Sequence, residues 1–288
     1  MFSKQEIKTR VCAGRGVGFG TYGLKADEMR DIIFEAIQSG YRLFDTAHDY
    51  GNEREFGCAI RECIEKGLVR REELFIQTKF YPETPYGYEN VYEQFDLSMK
   101  LLGLGYVDAY LFHKPIPWHS EHDYEERNID AWRAFSELKT KGLAKHIGVS
   151  NFLERHIEFL NAEEQFFPEI NQLEIHPLFQ QIGLTKWCER KGILVEGWSP
   201  LGRGKVLNND YIIKLSQKYN KTPAQICLRW QIQNGTVPIT SSNVVKWIRE
   251  SFQSNYFEID EEDMQAFSEI NSHDQHQELW MYKRAYMY

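Results

Sequence analysis

An α/β architecture, a single-domain (β/α)8 barrel, is what this 288-residue chain predicts, and three observations carry the expectation. Eight short apolar runs recur along the sequence, longer stretches with helical spacing separate them, and no Pro/Gly/Ser-rich linker or low-complexity tract divides the chain. Strict strand–helix alternation implies parallel strands joined by right-handed crossovers. Eight such units close naturally into a barrel, and barrels of this kind reach roughly 250 residues and more as one unit.

The elements follow in order. VGFG (17–20) is the first strand, and the stretch 26–39 after it sets Met29, Ile32, Ile33, Ala36 and Ile37 at helical spacing. RLFD (42–45) with a helix at 53–66 makes the second unit, LFIQTK (74–79) with 89–102 the third, and VDAYLFH (107–113) with 129–141 the fourth. HIGVS (146–150), INQLE (170–174) and LVEGWS (194–199) continue the series, with helices at 153–165, 180–191 and 209–219. TVPI (236–239) and a helix at 244–252 close it. Several runs are apolar nearly throughout, as strands covered on both faces are. An additional helix at 222–234 opens TPAQ, where Thr222 caps and Pro223 takes the first helical position. From about 271 the segment NSHDQHQELWMYKRAYMY has no clear period and many aromatics; it is a tail, packed against the barrel or lying over its mouth.

Composition narrows the function. The formal charge is −8, and lysines and arginines are scattered singly, so no nucleic-acid partner is expected. Cys12, Cys58, Cys63, Cys188 and Cys227 form no CxxC pair, which suits free thiols in a reducing compartment. MFSKQEIKTR lacks a signal peptide's apolar stretch, and no uncharged run is long enough to span a bilayer. A cytoplasmic monomer without a membrane partner is the expectation.

The stretch GYRLFDTAHDYGNE, Gly40 to Glu53, begins as a buried strand and ends abruptly in polar residues. In barrels of this kind catalytic groups sit at the C-terminal ends of strands and in the loops that follow. Asp45 closes the second strand, Tyr50 lies in the loop after it, Lys79 ends the third and His113 ends the fourth, so all four are expected on one rim. Each taken singly could be an ordinary strand-end residue. Asp45 and Lys79 could be a structural ion pair, but such a pair is not clearly stabilising against apolar residues, which hints at another role. A phenol is a weak acid, and a neighbouring ammonium favours phenolate; Lys79, held by Asp45, would lower the Tyr50 pKa and make it a general acid.

These residues and their neighbours resemble the aldo-keto reductase family. GYRLFDTAHDYGNE, LFIQTKF, YLFHKP, IGVSNF, NQLEIHP and EGWSPLG are similar to its characteristic segments, from about Gly18 to Glu262. The resemblance implies the same (β/α)8 TIM-barrel fold and an NAD(P)H-dependent oxidoreductase that reduces an aldehyde or ketone to the alcohol. It makes Tyr50 the general acid, Lys79 and Asp45 its tuning pair, and His113 the group that orients the carbonyl. It also puts Ser150, Asn151 and Gln172 around the nicotinamide carboxamide, with Trp198 stacked on the ring. Ser199, Leu201 and Gly202 would line the pyrophosphate, as would the backbone near Gly20 and Thr21. Tyr22, Tyr81 and Trp118 would line the substrate side, an aromatic mouth suited to a carbonyl compound with an apolar portion. GRGVGFG lacks the strand–turn–helix context of a dinucleotide phosphate loop.

The sequence departs from the family pattern near its last strand, VPITSSNVVKWIRES. Ile239 stands where a lysine that contacts the NADPH 2′-phosphate is common, Lys246 replaces an arginine and Glu250 an asparagine. Thr240, Ser241, Ser242, Lys246 and Arg249 remain candidates for that phosphate at a helix N-terminus, so NADPH is expected, with NADH possible. Lys114 follows His113 where a tryptophan is common. The pairs His119/His122 and His273/His276 have a metal-compatible spacing but no third ligand, so no metal is expected. An alternative of another class is a cofactor-binding regulatory protein on the same barrel, like channel subunits, with little turnover.

Overall fold

The computed structural model of the chain describes residues 16–83, 86–115, 124–161 and 166–272. Eight parallel strands form a closed barrel in chain order: β1 (Gly18–Gly20), β2 (Leu43–Asp45), β3 (Phe75–Phe80), β4 (Val107–Phe112), β5 (Ala144–Ser150), β6 (Ile170–Glu174), β7 (Leu194–Trp198) and β8 (Val237–Thr240). β8 pairs with β1 to close it. Around the strands lie α1 (Ala26–Ser39), α2 (Glu53–Glu65), α3 (Tyr88–Leu102), α4 (Tyr124–Thr140), α5 (Glu154–Asn161), α6 (Ile182–Lys191), α7 (Asp210–Tyr219), α8 (Pro223–Gln233), α9 (Val245–Phe252) and α10 (Glu261–Ala266). The (β/α)8 barrel predicted from alternation is therefore the fold.

Local chemistry explains the element ends. Thr222 accepts from the Gln225 amide at 3.3 Å while Gln225 Oε1 accepts from the Thr222 amide at 3.0 Å, and Pro223 opens α8. α4 begins at Tyr124, earlier than the apolar spacing alone suggests, with Glu125 and Glu126 in its first turn where the helix dipole favours negative charge. α10, whose first turn is Glu261, Glu262 and Asp263, follows the same rule. Of the helix expected at 153–165, the last four residues lie outside the described residues, as do Cys12, Trp118, the four histidines at 119, 122, 273 and 276, and the tail after Ser272.

Side chains alternate across each strand, so every second residue points into the barrel. Leu43, Phe75, Ala109, Leu111, Ile170, Leu194, Val237 and Ile239 form the apolar plug inside. Gly18 has no room for more: a Cβ there would lie 2.4 Å from Leu43 Cδ2 and 2.5 Å from Ile239 Cδ1. The main core lies outside the barrel, between strands and helices, and includes Phe44, Ile76, Tyr110, Phe112, Trp132 and Phe135. One step above the plug the inward residues change from apolar to polar: Asp45, Gln77, Lys79, Gln172 and Glu196, all at most 3% exposed. That change of polarity inside the barrel locates the chemistry. Among the described residues no helix is long and apolar enough to cross a membrane, and Cys58, Cys63, Cys188 and Cys227 are free thiols.

Candidate active site

Tyr50 sits in a short turn (His48–Tyr50) pinned at both ends. Gly51 reverses the chain at φ 69°, a left-handed conformation that glycine adopts without strain. Asn52 then anchors the loop to β1's exit, donating to Thr21 O at 2.8 Å and Leu24 O at 3.2 Å. Glu53, buried at the start of α2, accepts from Thr78 Oγ1 at 2.6 Å and Ser98 Oγ at 2.8 Å. The phenol is thereby presented to the rim with little freedom.

Lys79 is fully buried, and its ammonium uses all its protons. It donates to the Asp45 carboxylate at 2.7 Å, to Thr46 O at 3.0 Å and to Tyr50 OH at 2.9 Å. Burial pulls its pKa down, but Asp45 and Tyr50 hold it above the ordinary lysine range. For Tyr50 the outcome differs from the sequence expectation. Burial pushes the phenol above its ordinary value; Lys79 pulls it down, as predicted, but does not win against burial and the nearby Asp45 and Asp49 carboxylates.

His113 faces Tyr50 at 5.8 Å between ring centroids, and Tyr22 packs edge-on to Tyr50 at 5.1 Å. Tyr81 lies 5.7 Å beyond His113 and accepts a 2.8 Å hydrogen bond from Lys114 Nζ. Asp49 Oδ1 is 3.1 Å from His113 Nδ1, at ion-pair distance but out of line for a hydrogen bond. Burial holds His113 below its ordinary pKa against the pull of Asp49. Burial likewise brings Lys114 down to about 7. These residues line a cavity of about 680 Å³ that continues past Ser150, Asn151, Gln172 and Trp198 to Ser241.

The far wall is cross-linked. Ser150 Oγ donates to Gln172 O at 2.9 Å, Asn151 Nδ2 to His113 O at 3.0 Å, and Trp198 Nε1 to Asn151 Oδ1 at 2.9 Å, which fixes the indole plane. Asn151, Ser199 and Arg203 all hold positive φ (63°, 48° and 49°) without being glycine. Three strained backbones on one cavity wall mark a site that the surrounding fold over-determines.

Tyr22, Asp45, Tyr50, Tyr81, His113, Ser150, Asn151, Gln172, Trp198, Ser199, Leu201, Gly20, Thr240 and Ser241 therefore share one cavity, with Lys79 directly behind it. Others are placed elsewhere. Thr21 turns its hydroxyl to Thr46 at 2.9 Å, and Gly202 is buried. Ser242 Oγ accepts from the Val244 amide at 3.0 Å, and Lys246 is exposed on α9. Arg249 forms a two-pronged pair with Glu35 of α1 at 2.6 and 2.9 Å, and Glu250 accepts from Thr222. The sequence reading missed Asp49, Arg203 and Glu196. Asp49 stands in the very segment that drew attention, and Arg203 lies between two glycines after WSPLG, a cation in a loop bent for close approach. Glu196 was hidden as one polar residue in an apolar strand.

A sequence profile described as the aldo/keto reductase family matches residues 16–272. The chain belongs to that family. Within the aldo/keto reductases it is 39% identical to an uncharacterised oxidoreductase of Bacillus subtilis (strain 168), over 92% of this chain and 94% of that one. It is 37% identical to glyoxal reductase of the same organism, with the same shares covered. The crystal structure of a Bombyx mori aldo-keto reductase in complex with NADP superposes with a TM-score of 0.85, at 32% identity, covering 93% of this chain and 92% of that one. Family membership and reductase-named relatives make the protein an oxidoreductase.

Proposed function

We propose that the protein reduces an aldehyde or ketone to the alcohol with a nicotinamide cofactor, Tyr50 delivering the proton to the carbonyl oxygen. The carrying observation is the buried Lys79 ammonium, directly behind the cavity, held between Asp45 and the Tyr50 hydroxyl. As Tyr50 gives up its proton, the ammonium 2.9 Å away stabilises the tyrosinate, which is where burial would otherwise raise the barrier. His113, across the cavity from Tyr50, orients the carbonyl oxygen. Tyr22 and Tyr81 supply apolar walls to the substrate, and Trp118, outside the described residues, is proposed beside them.

The residues present fit the cofactor. Ser150, Asn151 and Gln172 cluster hydroxyl and amide groups suited to a carboxamide, and the fixed indole of Trp198 offers a flat face to a flat ring. Gly20, Ser199, Leu201 and Arg203 would hold the pyrophosphate, and Thr240 with Ser241 the adenosine end. When bound, the reduced nicotinamide supplies the hydride. NADPH is the proposed form; the Bombyx mori relative was crystallised with NADP. Because Arg249 is committed to Glu35, the 2′-phosphate reading rests on Thr240, Ser241, Ser242 and Lys246.

The test is consumption of reduced cofactor with a panel of aldehydes and ketones, glyoxal and methylglyoxal among them. Turnover supports the reading. Tight cofactor binding with no turnover on any carbonyl would favour the regulatory alternative.

A further inference from the structure

One layer below the mouth lies a second carboxylate that the reading above does not use. Glu196 of β7 points into the barrel and is fully buried. Its Oε2 accepts from Gln77 Nε2 at 2.7 Å and from Gln172 Nε2 at 2.8 Å. The same two nitrogens donate to Asp45 Oδ1 at 2.8 and 2.9 Å. Two carboxylates and two amides thus close a ring across the barrel, drawn from β2, β3, β6 and β7. Strand register builds it, since Asp45 is level with Gln77 and Gln172 with Glu196.

The charges in this layer do not balance. Asp45 from β2 and Lys79 from β3 are the ionised groups that face Glu196; β6 contributes the neutral Gln172, and β8 sets the apolar Val237 level with it. One ammonium therefore serves two carboxylates, and its protons are already committed to Asp45, Thr46 and Tyr50. Glu196 Oε1 and Gln77 Oε1 are both buried acceptors without a donor among the described residues. A proton on Glu196 cancels the excess charge and adds a donor to a layer short of them. Burial and the Asp45 charge push the Glu196 carboxyl up to about 7.

We propose that Glu196 is a positioning residue whose own proton sets how readily Tyr50 releases its proton. This rests on Tyr50 as the proton donor. With Glu196 protonated, Asp45 is the single anion opposite Lys79, and the ammonium is free to stabilise a tyrosinate. Ionised Glu196 adds a second negative charge, and Tyr50 holds its proton more tightly. The Glu196 proton exchanges with solvent; none of it passes to the substrate.

Glu196→Gln keeps two acceptor contacts and adds a donor, so it mimics the protonated state at every pH. In the wild type, kcat/KM for carbonyl reduction should fall by about three- to tenfold as pH rises through neutrality, tenfold being the ceiling for roughly one pKa unit on Tyr50 with its proton fully transferred. In Glu196→Gln that step should vanish and the acid plateau persist. Superimposable profiles would overturn the role of Glu196. Infrared spectra of the cofactor-free wild type give an independent readout that needs no variant: a protonated-carboxyl C=O band lost as pH rises through neutrality is expected, and no such band at any pH overturns the proposal. Tyr50→Phe run alongside separates the failures. If it still reduces carbonyls, the underlying reading falls; if it is inactive and the two profiles coincide, Glu196 alone falls.

Discussion

Replacing Lys79 by methionine removes a fully buried ammonium and leaves the Asp45 carboxylate without its counter-charge. Breaking a buried pair in this way costs about 3–5 kcal/mol. Because Gln77 and Gln172 still donate to Asp45 at 2.8 and 2.9 Å, the lower end applies. Unfolding entropy of about 2.1 cal/mol/K per residue gives roughly 0.6 kcal/mol/K for 288 residues, so about 3 kcal/mol lowers Tm by about 5 °C. Removing both charges in Asp45→Asn/Lys79→Met should recover most of that loss, because the cost lies in the orphaned charge and not in the lost contact. Thermal melts of the cofactor-free protein, followed by circular dichroism at one pH, provide the cycle. A Lys79→Met variant that melts with the wild type, or a double variant that falls by the sum of the singles, would refute the reasoning.

Glu196 makes stability pH-dependent. Its carboxyl is raised from an ordinary 4.5 to about 7, so the native state keeps a proton that the unfolded chain loses, and stability falls as pH rises from 4.5 through 7. The full cost, about 3 kcal/mol, is present above that window and absent in Glu196→Gln, which melts across the series should show. Arg203→Gln should weaken binding of the cofactor by about tenfold or more, the loss of a charge-assisted hydrogen bond to phosphate; unchanged Kd by fluorescence titration would put the pyrophosphate elsewhere. Ile239 tops the apolar plug and also lines the cavity beside Thr240, so Ile239→Lys sets a cation there and should raise the ratio of kcat/KM with NADPH to that with NADH. An unchanged ratio would mean that the 2′-phosphate does not lie near this side chain.

Much of the fold was legible because short apolar runs separated by stretches of helical spacing make a local pattern repeated eight times. Asp45, Lys79 and His113 were readable for a related reason: each is polar where a strand's apolar run stops, Tyr50 follows Asp45 in the next loop, and parallel strands bring all their C-terminal ends to one rim. What sequence could not give was the balance of forces. Lys79 was rightly expected to favour the Tyr50 phenolate, but the depth of burial that outweighs it is a property of the assembled barrel. Arg249 looked available for phosphate until α1 put Glu35 within 2.6 Å of it, more than 200 positions away in the chain. Glu196 sits inside an otherwise apolar strand, and its hydrogen-bond partners come from two other strands, so no single segment announces it.

The most direct measurement is Tyr50→Phe, assayed for carbonyl reduction and for cofactor binding in the same preparation. Lys79 keeps Asp45 and Thr46, so the fold and the cavity wall should survive. The account predicts that kcat falls about 10²–10⁴-fold while the cofactor Kd is unchanged. Turnover equal to that of the wild type would contradict it.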